Sequence, residues 1–204
     1  PELGKAVESG TLCADLPRYP EWANISDISL KKALLRRQSC RTYSGYALSM
    51  GELSFLLWAS QGIRERINDT TALRTVPSAG NRHAFESYVL AMNISGIEKG
   101  VYRYLPFSHQ LALEYVDEEI DLKVVKGVAN QRFAGEAGAL VVWTAVPYRM
   151  EWRYDLAAHK AIALDAGHVC QNMYLAGEAL DVGVCAIAAY DQDAMDQLLR
   201  VDGQ

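Results

Sequence analysis

Apolar positions change their period along this chain, and the changes mark its elements. Leu30, Ala33 and Leu34 recur at helical spacing behind Ser29, a good N-cap, and predict a helix that gives way near Gln38. Ser49-Met50-Gly51-Glu52 reads as a capping box that opens a second helix, with Leu53, Leu56 and Leu57 on one face and Gly62 at its end. Beyond it the period shortens. Ser87 to Asn93 reads as a strand, and Val101–Leu105 and Leu111–Val116 alternate around Pro106 and Ser108 as a hairpin. Glu118 to Val128 predicts a short helix, and the unbroken apolar run Ala139–Val146 a strand covered on both faces. A long helix is predicted over Asp155–Asp181, another buried strand over Gly183–Ile187, and a last helix behind Asp191 carrying Ala194, Met195, Leu198 and Leu199. Residues 1–28 are weakly periodic, with Pro17, Pro20, Trp22 and Asn24, and read as an arm that packs on the rest. Interleaved helices and strands predict an α+β or α/β fold, a central mostly antiparallel sheet flanked by helices.

The 155–181 helix is unusual. Between its ends it carries only Lys160, Asp165 and Glu178 as formal charges, with Gly167 and Gly177 in its interior. A helix apolar nearly all round is normally buried. Either it is the central core helix of a monomer, or a second chain covers it. At ~1.5 Å per residue it is about as long as a small domain is wide, which favours the second chain.

Length and composition narrow the class. With 204 residues the chain suits one domain, or two small ones, at roughly 150 residues each, and its core needs no metal or disulfide. Twenty basic against 25 acidic residues give a net charge of −5, which argues against nucleic acid or an anionic membrane as partner. No uncharged stretch reaches the ~18 apolar residues of a spanning helix. Pro1–Gly10 has no apolar core of a signal peptide, and the missing initiator Met suggests a trimmed start. Cys13, Cys40, Cys170 and Cys185 form no C-x-x-C pair, and the four histidines form no metal motif. Free thiols in a cytoplasmic protein without metal are the expectation.

Three segments carry candidate chemistry. In Arg37-Gln38-Ser39-Cys40-Arg41, residues 37, 39 and 41 share a side if extended, and 37 and 41 do if helical. Two forked, permanently charged guanidiniums suit a phosphate. The same residues also suit a solvated basic helix end, together with Lys31, Lys32 and Arg36. Pro77-Ser78-Ala79-Gly80-Asn81 is a turn of small residues that admits a flat ligand, and the Asn81 amide donates and accepts at once, as a flavin pyrimidine edge requires. Ile187-Ala188-Ala189-Tyr190-Asp191 offers backbone N–H groups across two methyl side chains. Each segment alone is ordinary punctuation.

In this order, over residues 29–200, the segments resemble the FMN-dependent nitroreductase superfamily. R-x-S-x-R, "LSFLLWASQGI" at 53–63, "RTVPSAGN" at 74–81, "GVYRYLP" at 100–106, "EWRY" at 151–154, "DAGHVCQNMYLAGEALDVGV" at 165–184 and "IAAYD" at 187–191 carry the resemblance. The 165–184 tract and "GVYRYLP" look most like the SagB/ThcOx-type branch, whose best-known members oxidise azoline rings in modified peptides. The resemblance implies an α+β sandwich, one FMN-binding domain over 1–204, and an intertwined homodimer with two FMN sites drawing on both chains. Arg37, Gln38, Ser39 and Arg41 would lie along the phosphate, ribityl chain and pyrimidine side. Pro77, Ser78, Ala79 and Asn81 would lie against the rings, and Ala188 and Ala189 would point N–H groups at N5 and O4. Arg41 and Ala188 are the groups expected nearest the chemistry.

Two departures stand out. Family members commonly continue into a last strand carrying a phosphate-binding Lys or Arg, whereas this sequence stops at Asp202-Gly203-Gln204. SagB-type azoline oxidisers use an adjacent Lys-Tyr pair as base, and no Lys here is followed by Tyr. The implied function is an FMN oxidoreductase passing a hydride from NAD(P)H to a nitroaromatic, quinone or similar acceptor. A dehydrogenase of a specific metabolite or azoline ring, and a flavin-binding protein with little catalysis, are the alternatives. No dinucleotide fingerprint chooses between NADH and NADPH.

Overall fold

The structure is a computed structural model and describes residues 4–22, 25–68 and 71–203. Asn24, placed in the arm above, and the terminal Gln204 lie outside the described residues.

In chain order the elements are β1 (Cys13–Asp15), α1 (Leu30–Arg36), α2 (Met50–Gln61), β2 (Ile63–Asn68) and β3 (Thr71–Arg74). They continue with β4 (Phe85–Ala91), β5 (Gly100–Leu105), β6 (Gln110–Val116), α3 (Ile120–Gly127) and β7 (Ala139–Ala145). The last three are α4 (Tyr148–Tyr154), α5 (Ala158–Leu180) and α6 (Gln192–Leu199). Local signals explain several boundaries. Ser29 Oγ accepts from the Lys32 N–H at the head of α1. Ser49 and Glu52 close a reciprocal capping box on α2. Asp191 Oδ1 accepts from the Ala194 N–H and starts α6.

Five strands form one sheet in the order β1-β6-β5-β4-β7, with every pairing antiparallel. The interior strand β4, between β5 and β7, is buried along its whole length. Its alternate residues feed two cores, as the pleat requires. Tyr88 and Leu90 pack against Ile120 and Val124 of α3 and Met195, Leu198 and Leu199 of α6. Val89 and Ala91 pack against Leu53 and Leu57 of α2. The far side of α2, Leu56 and Ala59, meets Met173, Ala176 and Leu180 of α5. The architecture is therefore an α+β sandwich, with α3 and α6 on one side of the sheet and α2 then α5 on the other.

The residues before α1 are tied in by named bonds. Arg103, 4% exposed, donates to the Lys5 and Ala6 carbonyls and pairs with Glu114 at 2.8 Å. Trp22 Nε1 donates to the Pro17 carbonyl and its ring packs on Trp58 at 4.9 Å. Ser54 Oγ also donates to Pro17, and His109 lies between Ser54 Oγ and Tyr104 Oη at 2.8 Å from each.

Three expectations are corrected. Gly183–Ile187 is no buried strand: it makes a single parallel bridge, Val184 to Ser39, and is half-exposed. The ladder stops because the next free donor, the Ala186 N–H, turns to Tyr174 Oη instead of a strand. The Asp155–Asp181 helix is broken at its start, where Asp155 has φ +44 and a 3-10 turn precedes α5. β7 is an edge strand, half-exposed along its length. The hairpin β2–β3, the short strand β1 and α4 were not foreseen.

Candidate active site

α5 is the post on which all three candidate segments are hung. Near its C-terminal end, the buried Tyr174 holds two of them at once. Its hydroxyl lies 3.0 Å from Ser39 Oγ and accepts the Ala186 N–H at 2.8 Å. The Cys40 N–H donates to the Val184 carbonyl, completing the link between the first and third segments. Gly183 is required at this seam, because a Cβ there would meet Cys40 Sγ at 2.7 Å. Arg37 is half-buried with its guanidinium 5.3 Å above the Tyr174 ring. Arg41 is exposed, 5.9 Å over the Phe133 ring. Gln38, Ala188 and Ala189 are exposed, and among the described residues the Ala188 and Ala189 N–H groups have no hydrogen-bond partner. Cations, a hydroxyl and free N–H donors thus share one surface. Such a set suits an anionic, flat ligand.

The second segment hangs on the other end of α5. Asp165, 3% exposed, accepts from Ser78 Oγ at 2.5 Å and from the Ala79 N–H at 3.2 Å. Pro77 leads into this turn. Gly80 has φ +56, and a Cβ there would meet Tyr154 Oη at 2.6 Å. The Asn81 amide is largely spent inside the chain, donating to the Ala72 carbonyl at 3.0 Å and accepting from His83 Nε2 at 2.8 Å. One N–H and one lone pair remain for a ligand.

Nine residues separate Asp165 from Tyr174, about two and a half helical turns, so the two side chains leave α5 on opposite sides and roughly 13 Å apart along it. Within one chain the structure brings the first and third segments together and holds the second apart.

His83 is 8% exposed, and burial, then Arg74 and Arg82, push its pKa down to about 3. It stays neutral in the fold while an unfolded chain takes the proton near 6.5, so stability is lost as pH falls from about 6.5 toward 3. His109 is shifted down by burial in the same sense. We expect about 2 kcal/mol from His83 to be lost by pH 5. Denaturant titrations of wild type and His83→Gln at pH 7 and 5 check this: the pH-dependent loss should shrink in the variant. His168, on α5, is exposed.

Tyr174 and Asp165, the two anchors, were not singled out from the sequence. A buried acid on an otherwise apolar helix was the one available signal for Asp165. Nothing local marks Tyr174.

A groove of about 1720 Å³ runs along β7 and past Val184 and Ile187, lined by Leu48, Val141 and Trp143 among others. On α5, Leu164 is 66% exposed, and the neighbouring Gly167 faces open space. This open face of α5 is mixed, with Lys160, His168 and Gln171 exposed beside Leu164 and Gly167.

The sandwich, with its long apolar helix carrying both turns, defines an oxidoreductase scaffold of the nitroreductase kind. Residues 34–204 match the nitroreductase family, and the chain belongs to it. A Methanocaldococcus jannaschii protein named for the nitroreductases is 30% identical over 178 residues, 87% of each chain. The trifolitoxin-processing protein TfxB of Rhizobium leguminosarum bv. trifolii is 28% identical over 133 residues, which cover 63% of this chain and 36% of that protein. A crystal structure from Ralstonia eutropha JMP134, also named for the nitroreductases, has a TM-score of 0.75 at 24% identity, covering 97% of this chain and 86% of that one. The E. coli microcin synthetase McbBCD complex contains a chain with a TM-score of 0.65 at 19% identity, covering 93% of this chain and 73% of that one. These two share the fold. No helix among the described residues is long and apolar enough to cross a membrane.

Proposed function

We propose that this chain is a cytoplasmic, FMN-dependent oxidoreductase that works as a homodimer, one FMN-binding domain per chain, with each site built from two copies. It passes a hydride from NAD(P)H to a nitroaromatic, quinone or related acceptor. The observation that carries this reading is the placement of the two anchors on opposite sides of α5. One copy offers Arg37, Gln38, Ser39, Arg41, Ala188 and Ala189 on one side, and Pro77, Ser78, Ala79 and Asn81 on the other. A second copy laid against the exposed face of α5 joins the halves.

The residues fit the cofactor. Arg37 and Ser39 hold the phosphate, with Gln38 along the ribityl chain. Arg41 would put a cation on the pyrimidine side, where it would stabilise negative charge, and the Ala188 and Ala189 N–H groups would be donors toward N5 and O4. Bound FMN supplies the two-electron carrier, which side chains lack. Ser78 and Ala79 keep a small-residue wall against the rings because Asp165 fixes them.

Mixing the purified, flavin-loaded protein with NADPH or NADH without oxygen tests the activity. Rapid bleaching of the flavin absorbance supports the reductase. Its absence with both donors overturns that reading in favour of a dehydrogenase of a specific ring or a binding protein. Likeness to the trifolitoxin-processing protein favours the dehydrogenase among these; the missing Lys-Tyr pair weighs against azoline oxidation.

Assembly has its own test. A Cβ at Gly167 meets nothing within 4 Å in one chain, so Gly167→Leu leaves the isolated fold intact and, as a helix former, does not weaken α5. In the dimer the added side chain pushes the facing copy away. We expect dimer affinity and flavin content to fall together, and dilution to release flavin. A variant that sediments as a dimer with full flavin removes this face of α5 from the interface.

A further inference from the structure

We infer that Tyr174 is a positioning residue that makes the Ser39 hydroxyl an outward donor to the phosphate of the bound nucleotide. This rests on the flavin reading above. The direction of the hydrogen bonds carries it. The Ala186 N–H can only donate, so Tyr174 Oη accepts there at 2.8 Å. Tyr174 is 9% exposed, and a buried phenol keeps its proton paired. Ser39 Oγ, 3.0 Å away, is the acceptor within reach among the described residues. Tyr174 therefore donates to Ser39, and the serine proton points away from the phenol, toward the surface shared with Arg37.

The array runs in one sense, from the Ala186 N–H through the phenol to the serine hydroxyl. Each bond polarises the next, which strengthens the final donor. The same ring carries the Arg37 guanidinium 5.3 Å above it. One side chain thus presets a hydroxyl and a cation for the same anion. That preorganisation favours ionised phosphate over a neutral alcohol at the same place.

Tyr174→Phe keeps the ring, the packing and the seat for Arg37 while removing the hydroxyl. Apoprotein is titrated with FMN and with riboflavin, which lacks the phosphate. We expect Tyr174→Phe to raise the FMN dissociation constant about tenfold and to leave that of riboflavin within about twofold. Ser39→Ala is expected to do the same, and the double variant to be no weaker than the worse single one, because both changes break one array. Equal losses for both flavins, additive losses, or no loss on FMN would each overturn the assignment while leaving the flavin reading in place. Wild-type protein that binds neither flavin overturns the flavin reading itself, and this assignment with it. If Tyr174→Phe does not fold, the Ser39→Ala contrast between the two flavins decides the matter: no contrast overturns the assignment.

Discussion

Glu86→Ala is expected to cost about 3–5 kcal/mol of folding stability, because it strands a buried guanidinium. Glu86 Oε1 receives Arg149 Nη2 at 2.5 Å, with the two side chains 7% and 6% exposed. The same oxygen receives the Lys5 N–H at 2.9 Å. Among the described residues, Arg149 Nη1 is already buried without a hydrogen-bond partner. Arg74, close enough for Arg149 to weaken its hold on a proton, is pushed down to about 10, by burial first. Glu86 pairs with Arg149 and favours the charged form of Arg74. A loss of this size is a large share of the 5–15 kcal/mol that holds a typical domain together. Denaturant unfolding measures it. Glu86→Met with Arg149→Met, which removes both charges, should recover most of the loss, since a buried pair replaced by apolar groups is often near neutral. A single variant within 1 kcal/mol of wild type would show that water, not the protein, compensates Arg149. The Lys5 N–H bond also predicts that the first residues become easier to cleave by protease in Glu86→Ala.

The second large effect is on the ligand. Arg37→Ala should weaken FMN by about 1.5–3 kcal/mol, roughly ten- to a hundredfold, through loss of a charge-assisted, forked partner of the phosphate. Its half-buried position over Tyr174 means little side-chain entropy is spent on binding, which places the effect toward the upper end. Arg37→Lys keeps the charge and loses the fork, and should fall between. Flavin retained at parental stoichiometry after exhaustive dialysis of Arg37→Ala would move the phosphate elsewhere. Arg36 is no substitute, since it is engaged with Glu178 at 3.1 Å and Asp181 at 2.7 Å.

What could be read without coordinates was what neighbours in sequence decide. Ser49 and Glu52 form their capping box within one turn, and Asp191 caps α6 through a residue three positions on, so both helix starts were legible. The β5–β6 hairpin, closed by a short turn, was legible for the same reason. The ordered short motifs also pointed to the family, because the order of segments survives where no single motif is decisive.

Tertiary structure decided the rest, wherever a residue's partner lies far along the chain. Gly183–Ile187 has a strand-like apolar run, yet its pairing ends when Tyr174 takes the Ala186 N–H. The apolar count of α5 said that it must be covered, but only the packing divides it into a face against α2 and an open face around Leu164 and Gly167. Asp165 looked like a lone acid; its partners, Ser78 and Ala79, lie 87 and 86 residues away. The Asn81 amide also bonds to Ala72 and His83, which composition does not foretell. Periodicity records whether a residue is buried, since burial is a property of its own side chain. It does not record against what, because that is set by where distant segments meet, and here they meet on the two ends of one helix.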